Sequence, residues 1–180
     1  MSVRHFTDAN DDRNKAFVGG ELRGYEVEAS NENHESGSSI YLTPNARTLA
    51  VKSDGYDESR GRVTVFRYDY SSKTWSQLGP RIEGINKGDT TTTAILRHSN
   101  TSVALSNDGN IIAIGDHGAD TVTGIDSGRV RIFKYAPASS TVRISGWVQL
   151  GSDIDGEASG DNSGWSVSLS SDGSRVAIGA

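Results

Sequence analysis

The closing stretch GDNSGWSVSLSSDGSRVAIGA, residues 160–180, decides how the chain is read. In SVSLS and RVAIG the apolar residues alternate, which puts Val167 and Leu169, then Val176 and Ile178, on one face of a pair of strands. Between them stands Asp172-Gly173, turn chemistry suited to a tight hairpin because glycine accepts the positive φ such a turn needs. The segment therefore predicts two antiparallel strands.

The same pattern recurs upstream. SVSLSSDGSRVAIGA at 166–180 aligns without a gap on SVALSNDGNIIAIGD at 102–116, 64 residues earlier. A more divergent copy, SIYLTPNARTLAVKS at 39–53, keeps the apolar register and replaces Asp-Gly with Pro44-Asn45-Ala46. Further pieces follow in fixed order: GRVTVFRY at 61–68 matches GRVRIFKY at 128–135, and WSQLGPRIEG at 75–84 matches WVQLGSDIDG at 147–156. GYEVEASNENHESGSS at 24–39 resembles the tail of a unit, IDGEASGDNSGWS at 154–166. Fixed-order repeats of this length belong to solenoids, propellers or arrays.

Each unit reads as four short strands: the hairpin, then GRVRIFKY with Val130 and Ile132 alternating against Arg129, Arg131 and Phe133, then WVQLG with Trp147 and Leu150. No segment has helical periodicity. Hydrophobic residues make up only 34% of the 180 and aromatics 7%, with 21 glycines, the balance of short strands joined by many polar turns. The predicted fold is all-β, with propeller-type blades of four antiparallel strands. The period exceeds the ~40–45 residues of a WD-type blade, so the extra length belongs in loops. One connection varies most: SDGYDESRG at 53–61 becomes GDHGADTVTGIDSG at 115–128. Variable connections on a constant scaffold are where binding surfaces are usually made.

The organisation follows. Residues 1–23 are a polar lead-in and the end of a preceding unit, 24–100 a first blade with its linker, 101–164 a second blade, and 165–180 the first hairpin of a third, truncated blade. About two and a half to three blades leave an incomplete ring. The expectation is a segment of a longer protein, or copies that self-associate through unclosed edges and apolar faces.

The quoted hairpin, with SGRVRIFKY and WVQLGSDIDGEASGDNSG of the copy before it, resembles the FG-GAP-like repeats of integrin-α-type β-propellers. The likeness is greater to the Gly-Asp-rich propeller repeats of large algal, protist and bacterial proteins. It runs from about Tyr25 onward; Gly164-Trp165 stands where that family has Phe-Gly, and Gly179-Ala180 at its closing Gly-Ala. The resemblance implies adhesion or surface display, in an extracellular or cell-surface setting. It would also imply a calcium loop of the form Asp-x-Asn-x-Asp-Gly in the hairpin turn. The turns here, Ser170-Ser171-Asp172-Gly173, Ser106-Asn107-Asp108-Gly109 and Thr43-Pro44-Asn45-Ala46, carry at most one carboxylate each. Calcium takes 6–8 oxygens, so the metal is not carried over.

The remaining calcium candidate is DIDGEASGD, with Asp153, Asp155, Glu157 and Asp161. Its spacing fits neither an EF-hand nor a calcium nonapeptide, and the expectation is a solvated linker with no cofactor. His5, His34, His98 and His117 share no metal-ligand spacing and read as surface residues. No Gly-x-Ser-x-Gly elbow precedes a helix, so no serine nucleophile is indicated. Asn100-Thr101-Ser102 is a glycosylation sequon, relevant only to a secreted chain. Trp75 and Trp147 occupy equivalent positions, which predicts core between units rather than a sugar platform.

A net charge of −5 and the absence of any basic block argue against a phosphate-backbone binder, so no nucleic-acid partner is expected. The acidic stretch Asp8–Asp12 reads as solvated. Without cysteine there is no disulfide framework, thiolate metal site or cysteine nucleophile. No apolar h-region opens the sequence, and no run approaches the ~18 apolar residues of a membrane span. These features together favour a non-catalytic module that binds protein or glycan. The alternatives are part of a propeller-bearing secreted hydrolase, whose acids would converge from several blades, and a purely structural repeat.

Overall fold

The computed structural model describes residues 36–53, 61–83, 102–138 and 146–180. The lead-in at 1–23, His5, His34, His98 and Asn100 lie outside the described residues. Among those described the chain is all-β, with no helix and hence none long and apolar enough to cross a membrane. The first sheet holds β1 (Ser36–Leu42), β2 (Thr48–Ser53), β3 (Arg62–Asp69), β4 (Thr74–Gln77) and β5 (Ile82–Glu83). The second holds β6 (Val103–Leu105), β7 (Ile111–Asp116), β8 (Arg129–Ala136), β9 (Gly146–Gln149) and β10 (Ile154–Asp155), and β11 (Ser166–Leu169) pairs with β12 (Val176–Gly179). All of these pairings are antiparallel and every sheet is open.

Each full sheet has five strands where the sequence predicts four. The fourth strand is interrupted: β4 pairs with the C-terminal half of β3 and β5 with its N-terminal end, and β9 and β10 divide β8 in the same way. Gly79 and Gly151, at φ 71° and 72°, break the ladder at equivalent points. Leu150 accordingly falls just beyond β9 instead of within it.

The hairpin turn is also longer than a two-residue turn, and its wiring is the same in all three copies. Ser170 to Arg175 close a loop in which Gly173 N–H donates to the Ser170 carbonyl at 2.8 Å. The Asp172 carboxylate accepts from the Ser170 hydroxyl at 2.7 Å and the Ser174 amide at 3.0 Å, and the Ser170 hydroxyl accepts from Arg175 N–H at 3.0 Å. Ser106, Asp108, Asn110 and Ile111 repeat this arrangement. Thr43, Asn45, Arg47 and Thr48 do so as well, with Ala46 held at φ 54° where the other copies have glycine. The Asp or Asn in the turn therefore organises the loop by capping its amides. Bonding to Ser170 and to Ser174 lowers the pKa of Asp172 to about 2.

Strand pairing gives each sheet two faces. One face of the first sheet carries Ala50, Val63 and Val65; the other carries Leu49, Val51 and Phe66. By repeat position these match Ala113, Val130 and Ile132 on one face of the second sheet, and Ile112, Ile114 and Phe133 on the other. The main core joins Ala50, Val63, Val65, Leu78 and Ile82 to Val103, Leu105, Ile112, Ile114 and Phe133. Unlike faces meet, so the units stack head to tail. Phe133, placed by alternation among the polar residues, is core because its face meets the first sheet, and β11 lies against β6 and β7 besides. Trp147 packs on this core as its repeat position implies, and Trp75 packs on Leu49, Val51 and Phe66.

The turn end repeats the same contact. A Cβ on Gly109 would run into the Thr48 side chain, and one on Gly173 would lie 2.7 Å from Cδ1 of Ile111. Thr48 and Ile111 are equivalent residues of successive units. Hydrogen bonds reinforce both junctions: Asn45 Nδ2 donates to the Asn107 carbonyl at 3.2 Å, and Asn107 N–H to the Ser171 carbonyl at 2.9 Å. Arg67 Nη2 also donates to Asn110 Oδ1 at 2.9 Å.

This stacking makes a direct prediction. Gly109→Ala carries both the left-handed backbone cost of about 1–2 kcal/mol and the overlap with Thr48, whereas Gly160→Ala, at φ 81° with open space around it, carries the first alone. Urea denaturation should show Gly109→Ala to be the more destabilised by roughly 1–3 kcal/mol; equal losses would contradict the close approach.

Candidate functional site

The end of the sheets opposite the hairpin turns gathers the chain's variable connection and most of its buried charge. Residues 116–128, joining β7 to β8, lie along residues 156–165, joining β10 to β11. Backbone bonds zip the two together: Gly156 N–H to Gly128 O at 2.9 Å, Gly160 N–H to Ile125 O at 2.9 Å, Asn162 N–H to Asp126 O at 3.0 Å and Ser163 N–H to Ser127 O at 3.0 Å. Hydroxyls add to this, with Thr123 Oγ1 donating to Gly156 O at 2.7 Å and Ser159 Oγ to Ile125 O at 2.8 Å. Small residues permit such approach: a Cβ on Gly156 would strike the Ser127 carbonyl. The segment 156–163 is thus hydrogen-bonded through its backbone to the variable loop, while Glu157, Ala158, Ser159 and Gly160 stay exposed to solvent.

The four calcium candidates go to different places. Asp155 Oδ1 accepts from Arg129 Nε at 2.9 Å and Asp153 Oδ2 lies 3.2 Å from the same nitrogen. Gln149 Nε2 donates to Asp153 Oδ1 at 2.7 Å. Asp161 accepts from Ala158 N–H at 2.7 Å, closing its own turn, while Glu157 is exposed. Among the described residues no three acids or histidines gather as a metal would require. The first pair serves a guanidinium instead, since the side chain reaching the Asp153–Asp155 edge is Arg129.

His117, read as a surface residue, is buried. Its ring centroid lies 4.5 Å from that of Trp165, edge on, because the zipped loops fold Trp165 back over the start of the connection. Beside it is the site's least expected feature, Asp116, 1% exposed at the end of β7. Neither carboxylate oxygen makes a well-formed hydrogen bond among the described residues. Burial pushes its pKa up to about 8, against the opposing pull of Lys52, Arg129, the Gly118 amide and Arg131. Lys52 comes from the facing side of the first sheet, so this charge group spans the junction between units. Burial likewise lowers the pKa of Arg131, with Asp153 opposing. The Arg131 guanidinium carbon sits 5.1 Å from the centroid of the Phe133 ring, a cation–π contact.

Asp116 was invisible as a site residue because it aligns with Ser53 and Ala180, so nothing repeats to draw attention to it. The alternation rule, however, puts position 116 on the inward face with Ile112 and Ile114, and that was the available signal. On the outside of the same end, large apolar side chains stand in water: Val122 is 97% exposed, Ile125 68% and Trp165 51%. No protein-family model matches the chain, and no curated protein matches it.

The Asp116 environment sets a pH dependence. The unfolded carboxyl releases its proton near 3.8 and the folded one near 8, so folding contributes most stability below the lower value and loses it as pH rises through the upper. Denaturation midpoints should fall between about pH 4 and pH 8 in the wild type, and this slope should flatten in Asp116→Asn. Parallel curves for the two proteins would contradict the assignment.

Proposed function

We propose that this chain is a run of β-propeller-type repeats, of the FG-GAP and integrin-α kind, that works as a non-catalytic module recognising a protein or glycan. The observation that carries the reading is the zipped loop pair 116–128 and 156–165, which holds Val122, Ile125 and Trp165 exposed on a rigid, stacked support. Water-exposed large apolar groups on an ordered loop favour association, and an aromatic face such as that of Trp165 suits a sugar ring. Position in the repeat supports it too, since this connection is the one that changes most between units.

The buried acid at this end argues for recognition over hydrolysis. Asp116 lies between the sheets at 1% exposure, where a substrate does not reach it. Asp153 and Asp155 are engaged with Arg129. The role proposed is adhesion or scaffolding, in the extracellular or cell-surface setting that the repeat type implies.

The test is a glycan and extracellular-matrix protein array, run beside a glycosidase and esterase panel. Binding to at least one ligand class is expected, weakened about tenfold or more by Val122→Ser and Ile125→Ser, with the denaturation midpoint unchanged because both side chains stand in solvent. Hydrolysis abolished by replacing a single carboxylate or serine would overturn the reading.

A further inference from the structure

The connection 116–128 ends in a small hairpin of its own. Thr121 N–H donates to the Gly124 carbonyl at 3.1 Å and Gly124 N–H to the Thr121 carbonyl at 3.2 Å, so Val122 and Thr123 are the tip residues. Tight turns draw on Gly, Pro, Asn, Asp and Ser, and a β-branched apolar residue has no advantage there. Val122 nevertheless occupies the tip at 97% exposure, where it adds almost no buried area to the fold. Ile125 follows, also exposed, while its carbonyl accepts from Gly160 N–H at 2.9 Å and Ser159 Oγ at 2.8 Å. Contacts made within one unit thus fix two aliphatic side chains in water.

The charge around this tip has one sign. Asp120 Oδ1 accepts from Asp126 N–H at 2.9 Å at the base of the hairpin. Glu157 follows Gly156, whose carbonyl accepts from Thr123 Oγ1 at 2.7 Å, and Asp161 follows Gly160. Neither 116–128 nor 156–165 contains a lysine or arginine, and His117 is buried against Trp165. The next cation, Arg129, is taken up by Asp153 and Asp155. Asp126 and Glu157 stand exposed.

We propose that this tip docks a basic polypeptide segment, in which a large apolar side chain packs on Val122 and Ile125 while flanking lysines or arginines meet Asp126 and Glu157. The inference rests on the reading of the loop pair as a recognition surface and names its partner. Aliphatic groups at the tip favour a protein side chain over a sugar, which is better matched by an aromatic face. The acidic rim repels sulfated or sialylated glycans.

The full chain, isotope-labelled, is titrated with peptides of one length: leucine flanked by lysines, leucine flanked by glutamates, and lysines flanking serine. A chitin-derived oligosaccharide is the neutral glycan probe, and amide chemical shifts report where each binds. The lysine-leucine peptide is expected to shift residues 122–126 and Glu157, and to bind at least about tenfold more tightly than the other peptides. Asp126→Asn with Glu157→Gln is expected to weaken it about tenfold and to flatten its salt dependence. Asparagine suits the left-handed backbone at position 126, φ 51°, so the loop is retained. Tip shifts caused by the oligosaccharide or the glutamate peptide, and not by the lysine-leucine peptide, overturn the partner class and leave the recognition reading standing. So does silence of the tip toward every probe while array binding still depends on Val122. Shifts spread to the carboxylates of the opposite end, Asp69 and Asp172, mark unselective charge attraction and also overturn the proposal.

Discussion

The turn glycines of the second and third hairpins each close on the second strand of the unit before: Gly109 on Thr48, Gly173 on Ile111. That approach needs both the left-handed backbone and the absence of a Cβ, and it fixes how far one sheet sits from the next. Everything else in the stack follows from that spacing. Ala50, Val63 and Val65 can meet Ile112, Ile114 and Phe133 only if unlike faces oppose each other, and the same rule then seats β11 against β6 and β7. The second sheet, with neighbours on both sides, consequently buries residues of both alternating sets.

This explains which parts of the fold were legible in the sequence. Strand positions and the repeat register followed from alternation and from aligning 166–180 on 102–116. Alternation was misleading in GRVRIFKY, where Phe133 and Arg131 were set apart as the polar face. A strand buried on both sides has no polar face, and one unit's sequence does not reveal the neighbour that covers it. The interruption of the fourth strand was written in Gly79-Pro80 and Gly151 but reads equally well as a strand end.

At the loop end less was legible, for a different reason. The bonds between 116–128 and 156–165 are mostly backbone to backbone, and they depend on small residues permitting approach rather than on a side-chain pattern. DIDGEASGD read as a line of acids, yet Asp153 and Asp155 are engaged by Arg129, which lies 26 residues from Asp155 in sequence. His117 and Asp116 are buried by the same folding of the loops. A packed junction between units and a loop face offering apolar groups to solvent thus arise from one set of contacts, which is the link between this fold and the recognition role proposed for it.

Head-to-tail stacking is the central claim, and proton–proton contacts in solution test it most directly. A nuclear Overhauser spectrum of the methyl-labelled protein should connect the Thr48 methyl to the Gly109 α-protons and the Ile111 δ-methyl to those of Gly173, one junction repeating the other. Gly109 and Gly173 contacts to unrelated partners, or to none, would contradict the account.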